Sequence, residues 1–137
     1  MTTITSKSGL LILIEGNPYI SSQFTSRFER LGYKAVAMPN GVEAISFMRQ
    51  HIILNDNPGL IVVNYDLPFQ NGVEVCRQLK SDRRLGSVPV LIFSEQNQMT
   101  RMTESYKAKA DYYVVVGKDV DTLEKRAQAI LMRQVYR

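Results

Sequence analysis

The sequence has a single cysteine, a single histidine and no tryptophan. Cys76 has no partner for a disulfide within the chain, and with His51 it is too few for a zinc site of cysteines and histidines. Long apolar segments are also scarce. The apolar run Leu10–Ile14 covers five residues, too short for a signal-peptide core or a membrane span. We therefore expect a cytoplasmic protein with a reduced thiol and no membrane contact.

Charge of one sign does not accumulate anywhere along the chain. Its 17 basic and 13 acidic residues give a net charge of +4, but they are dispersed, and no lysine- or arginine-rich run of nucleic-acid type occurs. We expect no nucleic-acid partner. The length of 137 residues and the 45% hydrophobic content fit one globular domain. We assign residues 9–137 to it and expect the polar residues 1–8 to be disordered.

Short apolar runs alternate along the chain with stretches of helical spacing. The predicted strands are residues 10–14, 33–38, 60–63, 88–93 and 112–116. The predicted helices are residues 18–31, 42–52, 73–79, 98–107 and 120–136. Five apolar strands separated by helices predict a parallel sheet covered on both faces. In such sheets ligands bind at the carboxyl ends of the strands, so the residues just after each strand are the candidates for function.

Four segments carry a resemblance to a known family. They read NYDLP at residues 64–68, NGVEVCRQLK at 71–80, VPVLIFS at 88–94 and ADYY at 110–113. With these segments the chain resembles, over residues 9–132, the receiver domain of two-component response regulators, the CheY-like domain. The resemblance implies a flavodoxin-like α/β fold, with a doubly wound five-stranded parallel sheet of order 2-1-3-4-5 and five helices.

The resemblance also implies a chemistry. In this family two acidic residues after the first strand and an acceptor aspartate after the third hold a magnesium ion. The aspartate takes a phosphoryl group from a histidine kinase, and a hydroxyl residue after the fourth strand and a lysine after the fifth bind its oxygens. Clustered carboxylates suit a hard cation, and the cation and the lysine offset the charge on the transferring phosphoryl group.

Most of these groups are missing when the family pattern is carried over. The acidic pair falls on Glu15 and Gly16, and the acceptor falls on Asn64, a neutral amide that cannot form an acyl phosphate. The hydroxyl residue is retained as Ser94, but the lysine position falls on Val116. The resemblance therefore implies a degenerate pseudo-receiver with no catalytic residue and no expected cofactor, magnesium included.

Several nearby side chains leave alternatives open. Asp66 is either an exposed loop acid or a replacement acceptor, and Glu15 and Asp66 are weak candidates for a cation site. Lys118, two residues beyond Val116, is either solvated or reaches the pocket and pairs with one of these acids. Tyr113 falls on the aromatic position that moves with the hydroxyl residue in active receivers.

We predict a protein–protein interaction module, not an enzyme, that works without phosphorylation in a bacterial-type two-component phosphorelay. Its partner is a histidine kinase, an output protein or a second copy of the chain. In receivers, partners dock on the fourth helix, fifth strand and fifth helix. Here that face is expected to be basic and to carry Arg101, Lys107, Lys109, Lys125 and Arg126. The alternatives are an active response regulator phosphorylated at an atypical residue such as Asp66, and a flavodoxin-like small-ligand module.

Overall fold

The computed structural model describes residues 9–52, 57–117 and 120–135. Strands and helices alternate throughout this part of the chain. The strands are β1 (Leu10–Ile14), β2 (Lys34–Met38), β3 (Leu60–Asn64), β4 (Val90–Ser94) and β5 (Tyr112–Val115). The helices are α1 (Pro18–Arg30), α2 (Gly41–Ile52), α3 (Gly72–Ser81), α4 (Met99–Lys107) and α5 (Asp121–Val135).

The five strands form one parallel sheet in the order β2-β1-β3-β4-β5. This order confirms the predicted fold. The chain moves outward from β1 to β2 and then returns past β1 to β3, so the strand order reverses between β1 and β3. In doubly wound sheets this reversal opens a crevice at the carboxyl edge, and the candidate residues lie there.

Strand residues alternate between two apolar layers, because successive side chains point to opposite faces of a sheet. Ile12 and Ile14 of β1 pack with α2 and α3, whereas Leu11 and Leu13 pack with α1 and α5. In α1 the rings of Phe24 and Phe28 stack with their centroids 4.8 Å apart. Both faces are therefore covered, as continuous apolar strands require.

Asparagine side chains fix the starts of two helices that border the carboxyl edge. Asn17 accepts hydrogen bonds from the backbone N–H groups of Tyr19 and Ile20 at the start of α1. Asn71 accepts one from Glu74 at the start of α3. These caps satisfy N–H groups that have no partner within the helix. They also set where the loops after β1 and β3 end.

Several element boundaries differ from the sequence prediction by one or two residues. The largest shifts are of two residues: α3 ends at Ser81 and not at residue 79, and β4 begins at Val90 and not at residue 88. Pro89 has no N–H for the ladder, although its carbonyl accepts a hydrogen bond from the N–H of Ile61. Residues 1–8, which were expected to be disordered, lie outside the described residues. Among the described helices none is long and apolar enough to cross a membrane.

The start of α3 lies so close to the end of β3 that position 72 leaves no room for a side chain. A Cβ atom at this position would lie 2.5 Å from the carbonyl oxygen of Asn64. We expect Gly72→Ala to lower the free energy of unfolding by about 1–3 kcal/mol, because the backbone must shift to relieve this overlap. Urea denaturation measures the change.

The control for that substitution is Gly117→Ala, because a Cβ atom at Gly117 would meet nothing within 4 Å. We expect the free energy of unfolding to change by less than about 0.5 kcal/mol there. Equal effects of the two substitutions would contradict the packing described for Gly72.

Candidate functional site

Three polar residues lie at the carboxyl edge of the sheet, each at the end of a neighbouring strand. Glu15 directly follows β1, Asn64 is the last residue of β3, and Ser94 is the last residue of β4. Because these strands are parallel neighbours, the three side chains come together over one edge. The sequence had predicted this juxtaposition from the strand order of parallel sheets.

Glu15 and Asn64 are joined directly. The Asn64 side-chain amide donates a hydrogen bond of 2.6 Å to one carboxylate oxygen of Glu15. The other carboxylate oxygen accepts one of 2.8 Å from the backbone N–H of Asn17. On its other side, Asn64 Oδ1 accepts a hydrogen bond of 2.9 Å from the backbone N–H of Asp66. Asn64 therefore ties the end of β1 to the β3–α3 loop.

Burial dominates the electrostatics of Glu15, which is only 5% exposed. Loss of solvation raises the pKa of its carboxyl above the usual range, although the hydrogen bonds from Asn17 and Asn64 act in the opposite direction. The two donors reduce the penalty for a buried charge without removing it.

Gly16 follows Glu15 on the exposed side of the same turn. A Cβ atom built on Gly16 would lie 3.2 Å from Cδ of Pro68 in the β3–α3 loop. A side chain at this position would thus require the loop to move by a few tenths of an ångström. The turn accommodates glycine, and no ligand atom projects from it.

Ser94 is fully buried, and its hydroxyl is engaged on several sides. The hydroxyl accepts a hydrogen bond of 3.0 Å from the backbone N–H of Gln96 and approaches the carbonyl oxygen of Gln96 at 3.3 Å. It also accepts one of 3.1 Å from Nη1 of Arg101. Ser94 therefore closes the turn after β4, as serines after strands commonly do.

Arg101 of α4 is the residue that the sequence interpretation placed wrongly. It was expected on the exposed partner face, but its side chain is only 16% exposed. Nη1 donates to the Asp66 carboxylate at 2.8 Å as well as to Ser94, and the guanidinium carbon lies 4.1 Å from the centroid of the Tyr65 ring. The bond to Asp66 raises the pKa of Arg101 further. The positively charged guanidinium of Arg101 thus reaches into the pocket from α4.

A sequence signal for this placement existed. Arg101, Ser105 and Ala108 are spaced i, i+4 and i+7, so they share one face of α4. Ser105 and Ala108 are small and buried. The small residues mark the inner face of α4, and they place Arg101 on the same face, toward the loops.

A second contact joins α4 to the β3–α3 loop. The hydroxyl of Tyr65 donates a hydrogen bond of 2.5 Å to the carboxylate of Glu104, and this bond raises the pKa of the Tyr65 hydroxyl. Tyr65 therefore contacts two residues of α4: its ring packs against the guanidinium of Arg101, and its hydroxyl is hydrogen-bonded to Glu104. Asp66, the next residue, is 59% exposed in its side chain and pairs with Arg101.

Three more residues were predicted to line the pocket: Val116, Tyr113 and Lys118. Neither Val116 nor Tyr113 is placed like the three polar residues at the strand ends. Val116 is buried in the apolar layer beneath α5, and its backbone N–H donates to the carbonyl of Ser94. Tyr113 is half-buried, with its hydroxyl 3.4 Å from the carbonyl oxygen of Gln96. Lys118 lies outside the described residues, so its predicted approach to the pocket stays a prediction.

The other residues predicted for the partner face are exposed. They lie on α4, on the turn after it and on α5, and they are Lys107, Lys109, Lys125 and Arg126. Exposed apolar side chains accompany them: Met99 and Tyr106 on α4 and Val115 on β5. This group, with the four basic residues, is called the α4–β5–α5 face below.

Neither the cysteine nor a metal cluster adds to the site. Cys76 is buried in α3, where loss of solvation raises the pKa of its thiol to about 11, so it packs as a small apolar residue. Within residues 9–52, 57–117 and 120–135, no group of three or more histidine, cysteine, aspartate or glutamate side chains is placed to hold a metal ion.

The fold is shared with solved structures of response regulators. The structure of chemotaxis response regulator CheY4 of Vibrio cholerae matches with a TM-score of 0.78 at 15% identity, covering 91% of this chain and 99% of that one. At this identity the likeness shows the fold alone.

Sequence relatives cover the same region. Protein PilH of Pseudomonas aeruginosa is 24% identical over 121 residues, which is 88% of this chain and 96% of PilH. The DNA-binding dual master transcriptional regulator RpaA of Synechocystis is 27% identical over 123 residues, which is 90% of this chain and 49% of RpaA. The chain thus spans nearly all of PilH but about half the length of RpaA.

The family model for the response regulator receiver domain matches residues 11–128. That range includes β1 from Leu11 onward, the other four strands and the whole polar edge formed by Glu15, Asn64 and Ser94. The chain belongs to the response regulator receiver domain family of two-component systems.

Proposed function

We propose that this receiver domain works as a protein–protein interaction module that does not require phosphorylation. The observation that carries the proposal is the bond between Asn64 and Glu15. The end of β3, where the family pattern places the acceptor aspartate, holds an amide whose N–H group points at a buried carboxylate 2.6 Å away. An amide nitrogen in this position donates a hydrogen bond and is a poor nucleophile. The domain is accordingly a pseudo-receiver and not an enzyme.

Magnesium, which the family chemistry implies, does not fit the residues present. Both oxygens of Glu15 are already occupied by N–H donors. Gly16 supplies no side chain, and Asp66 is paired with Arg101. A hard cation prefers several oxygen ligands, and each candidate carboxylate here is neutralised or hydrogen-bonded by the chain itself. These residues therefore do not form a magnesium site of the family type.

The alternative acceptor Asp66 is a weaker candidate for the same reason. Its carboxylate accepts a charge-assisted hydrogen bond from Arg101 at 2.8 Å, which stabilises the carboxylate and reduces its nucleophilicity. Phosphorylation at Asp66 would have to displace Arg101. The geometry therefore favours interaction over phosphotransfer.

The α4–β5–α5 face supports a partner of acidic or complementary character. Acidic side chains on these helices are engaged elsewhere: Glu104 bonds Tyr65, and Asp121 and Glu124 pair with Arg27 of α1. The remaining charged surface is dominated by Lys107, Lys109, Lys125 and Arg126. Charged groups around exposed apolar side chains are typical of protein interfaces, so we propose an acidic partner or a second copy of the chain.

The role of the Asn64 amide can be tested by substitution. We expect Asn64→Asp to lower the free energy of unfolding by about 1–3 kcal/mol, because it places two carboxylates at hydrogen-bond distance without a donor between them. Millimolar magnesium should restore part of this loss in the variant and leave the wild type unchanged. Urea denaturation with and without magnesium measures both effects.

Asn71→Asp is the control for the added charge. Asn71 caps α3, and asparagine and aspartate cap helices about equally well, so we expect little change. Magnesium stabilisation of the wild type at the same concentration would contradict the proposed absence of a metal site.

The contribution of the α4–β5–α5 face to association can be tested by reversing its charge. We expect the double substitution Lys125→Glu with Arg126→Glu to weaken association by about tenfold or more at low salt and by less at high salt, because charge complementarity is screened by ions. Sedimentation velocity follows self-association, and affinity capture from a lysate follows other partners. Magnesium with acetyl phosphate should leave both unchanged.

Arg30→Glu with Lys34→Glu makes the same change in net charge at the end of α1 and the start of β2. We expect this variant to associate like the wild type. If the Lys125 and Arg126 reversal leaves association unchanged at low and high salt, this face is excluded as the docking site. If association requires acetyl phosphate, the phosphorylation-independent function is excluded.

A further inference from the structure

Helix α4 is weakly stabilised by its own sequence. It has nine residues, its N-cap Gln98 makes no side-chain capping bond, and its first turn carries no acidic residue. Helices of this length are marginal without tertiary support, and the missing cap and acidic residue remove two common sources of stability. The position of α4 must therefore depend on what it contacts.

The inner face of α4 provides little apolar support. Of its nine residues only Ser105 is buried, and the Ser105 hydroxyl donates back to the carbonyl of Arg101 at 2.8 Å. Ala108, directly after the helix, is buried against α3, and its carbonyl accepts the Cys76 thiol hydrogen at 3.4 Å. These contacts fix the C-terminal end of α4 and leave the N-terminal end to other groups.

The exposed connection before α4 does not supply those groups. Residues 95–100 are all exposed. The N-terminal half of α4 is held from the side by Arg101, which contacts Asp66, Ser94 and Tyr65. Glu104, just past the middle of the helix, adds a hydrogen bond from the Tyr65 hydroxyl. Arg101 thus links this half of the helix to both the end of β4 and the β3–α3 loop.

We propose that Arg101 is the positioning residue of α4, and that its guanidinium gives the α4–β5–α5 face its working arrangement without any external ligand. This inference rests on the proposed function, because it assigns the residue that prepares the proposed docking face. Arg101 makes hydrogen bonds to Asp66 and Ser94 and stacks on Tyr65, and a planar guanidinium can do both at once. The outer residues Met99, Tyr106 and Lys107 move with the same short helix.

The test uses four single variants, the double variant that combines Arg101→Ala with Asp66→Asn, and native-state hydrogen exchange. Arg101→Ala removes every contact of the guanidinium. Arg101→Lys keeps the charge near Asp66 but loses the planar stacking. Asp66→Asn removes the ion pair from the exposed side, and Lys107→Ala is the matched control on the outer face of the same helix.

We expect Arg101→Ala to speed exchange of the amides of Met99–Lys107 by about tenfold or more, because charge-assisted hydrogen bonds are lost. Exchange in α1 and α5 should stay as in the wild type. Arg101→Lys should fall between the wild type and Arg101→Ala, and Lys107→Ala should match the wild type. Asp66→Asn should have a clearly smaller effect when Arg101 is already alanine, because the two residues act through one contact.

Two results of the exchange measurement would overturn the inference. One is unchanged exchange in α4 when Arg101 is replaced, and the other is acceleration in α1 and α5 equal to that in α4, which would indicate general loss of stability. If Arg101→Ala does not fold, Arg101→Lys and Asp66→Asn carry the same comparison at smaller amplitude.

The failure of this inference can be told apart from failure of the proposed function. Loosening of α4 that weakens self-association or partner capture supports Arg101 as the positioning residue. Faster exchange of the α4 amides with unchanged association contradicts that role, but it does not contradict the proposed function as an interaction module. A third outcome combines faster exchange of the α4 amides in Arg101→Ala with association that the Lys125 and Arg126 reversal leaves unchanged. That outcome supports Arg101 as the residue that positions α4 and contradicts the proposed docking face.

Discussion

The side-chain amide of Asn64 is the interaction on which the carboxyl edge depends. It donates to the buried carboxylate of Glu15 at 2.6 Å and accepts from the backbone N–H of Asp66 at 2.9 Å. Only a group with both a donor and an acceptor can do this. An aspartate could accept from Asp66 but would face Glu15 with a second negative charge. The neutral amide therefore lets Glu15 remain buried without a cation beside it.

The same principle extends across the rest of the pocket. Glu15 receives N–H groups from Asn17 and Asn64, and Ser94 receives one from Gln96. Asp66 is matched by Arg101. The chain itself thus provides a partner for each polar group that the family pattern would assign to a metal ion or a phosphoryl group. Because buried polar groups are costly when unpaired, this internal pairing supports the proposal that the pocket is stable without a ligand.

The sequence predicted the sheet well because its signals are local. Apolar runs of four to six residues bounded by glycine, proline and asparagine mark strands, and the resemblance supplied their order, which the structure confirms. The polar ends of β1, β3 and β4 followed from the parallel arrangement. The boundaries at Pro89 and Gln98 were less accurate, since a missing N–H and a weak cap act over one or two residues.

The placement of Arg101 could not be obtained in this way. It depends on the rotation of α4 about its axis and on a loop thirty-five positions away in sequence. The resemblance suggested a basic partner face; Lys107, Lys109, Lys125 and Arg126 are exposed there, whereas the side chain of Arg101 turns into the pocket. The spacing of Arg101 with the small residues Ser105 and Ala108 was the only local signal. The roles of all these residues in partner binding stay predictions.

The central claim is that the pocket is complete without magnesium or a phosphoryl group. An amide NMR titration with magnesium, followed by magnesium with beryllofluoride as a mimic of the phosphoryl group, tests it most directly. The predicted result is no saturable shift at Glu15, Asn64, Ser94 and Arg101. Saturable shifts at these residues that spread along α4 would contradict it, because they would show that an external ligand still enters the pocket and operates the switch.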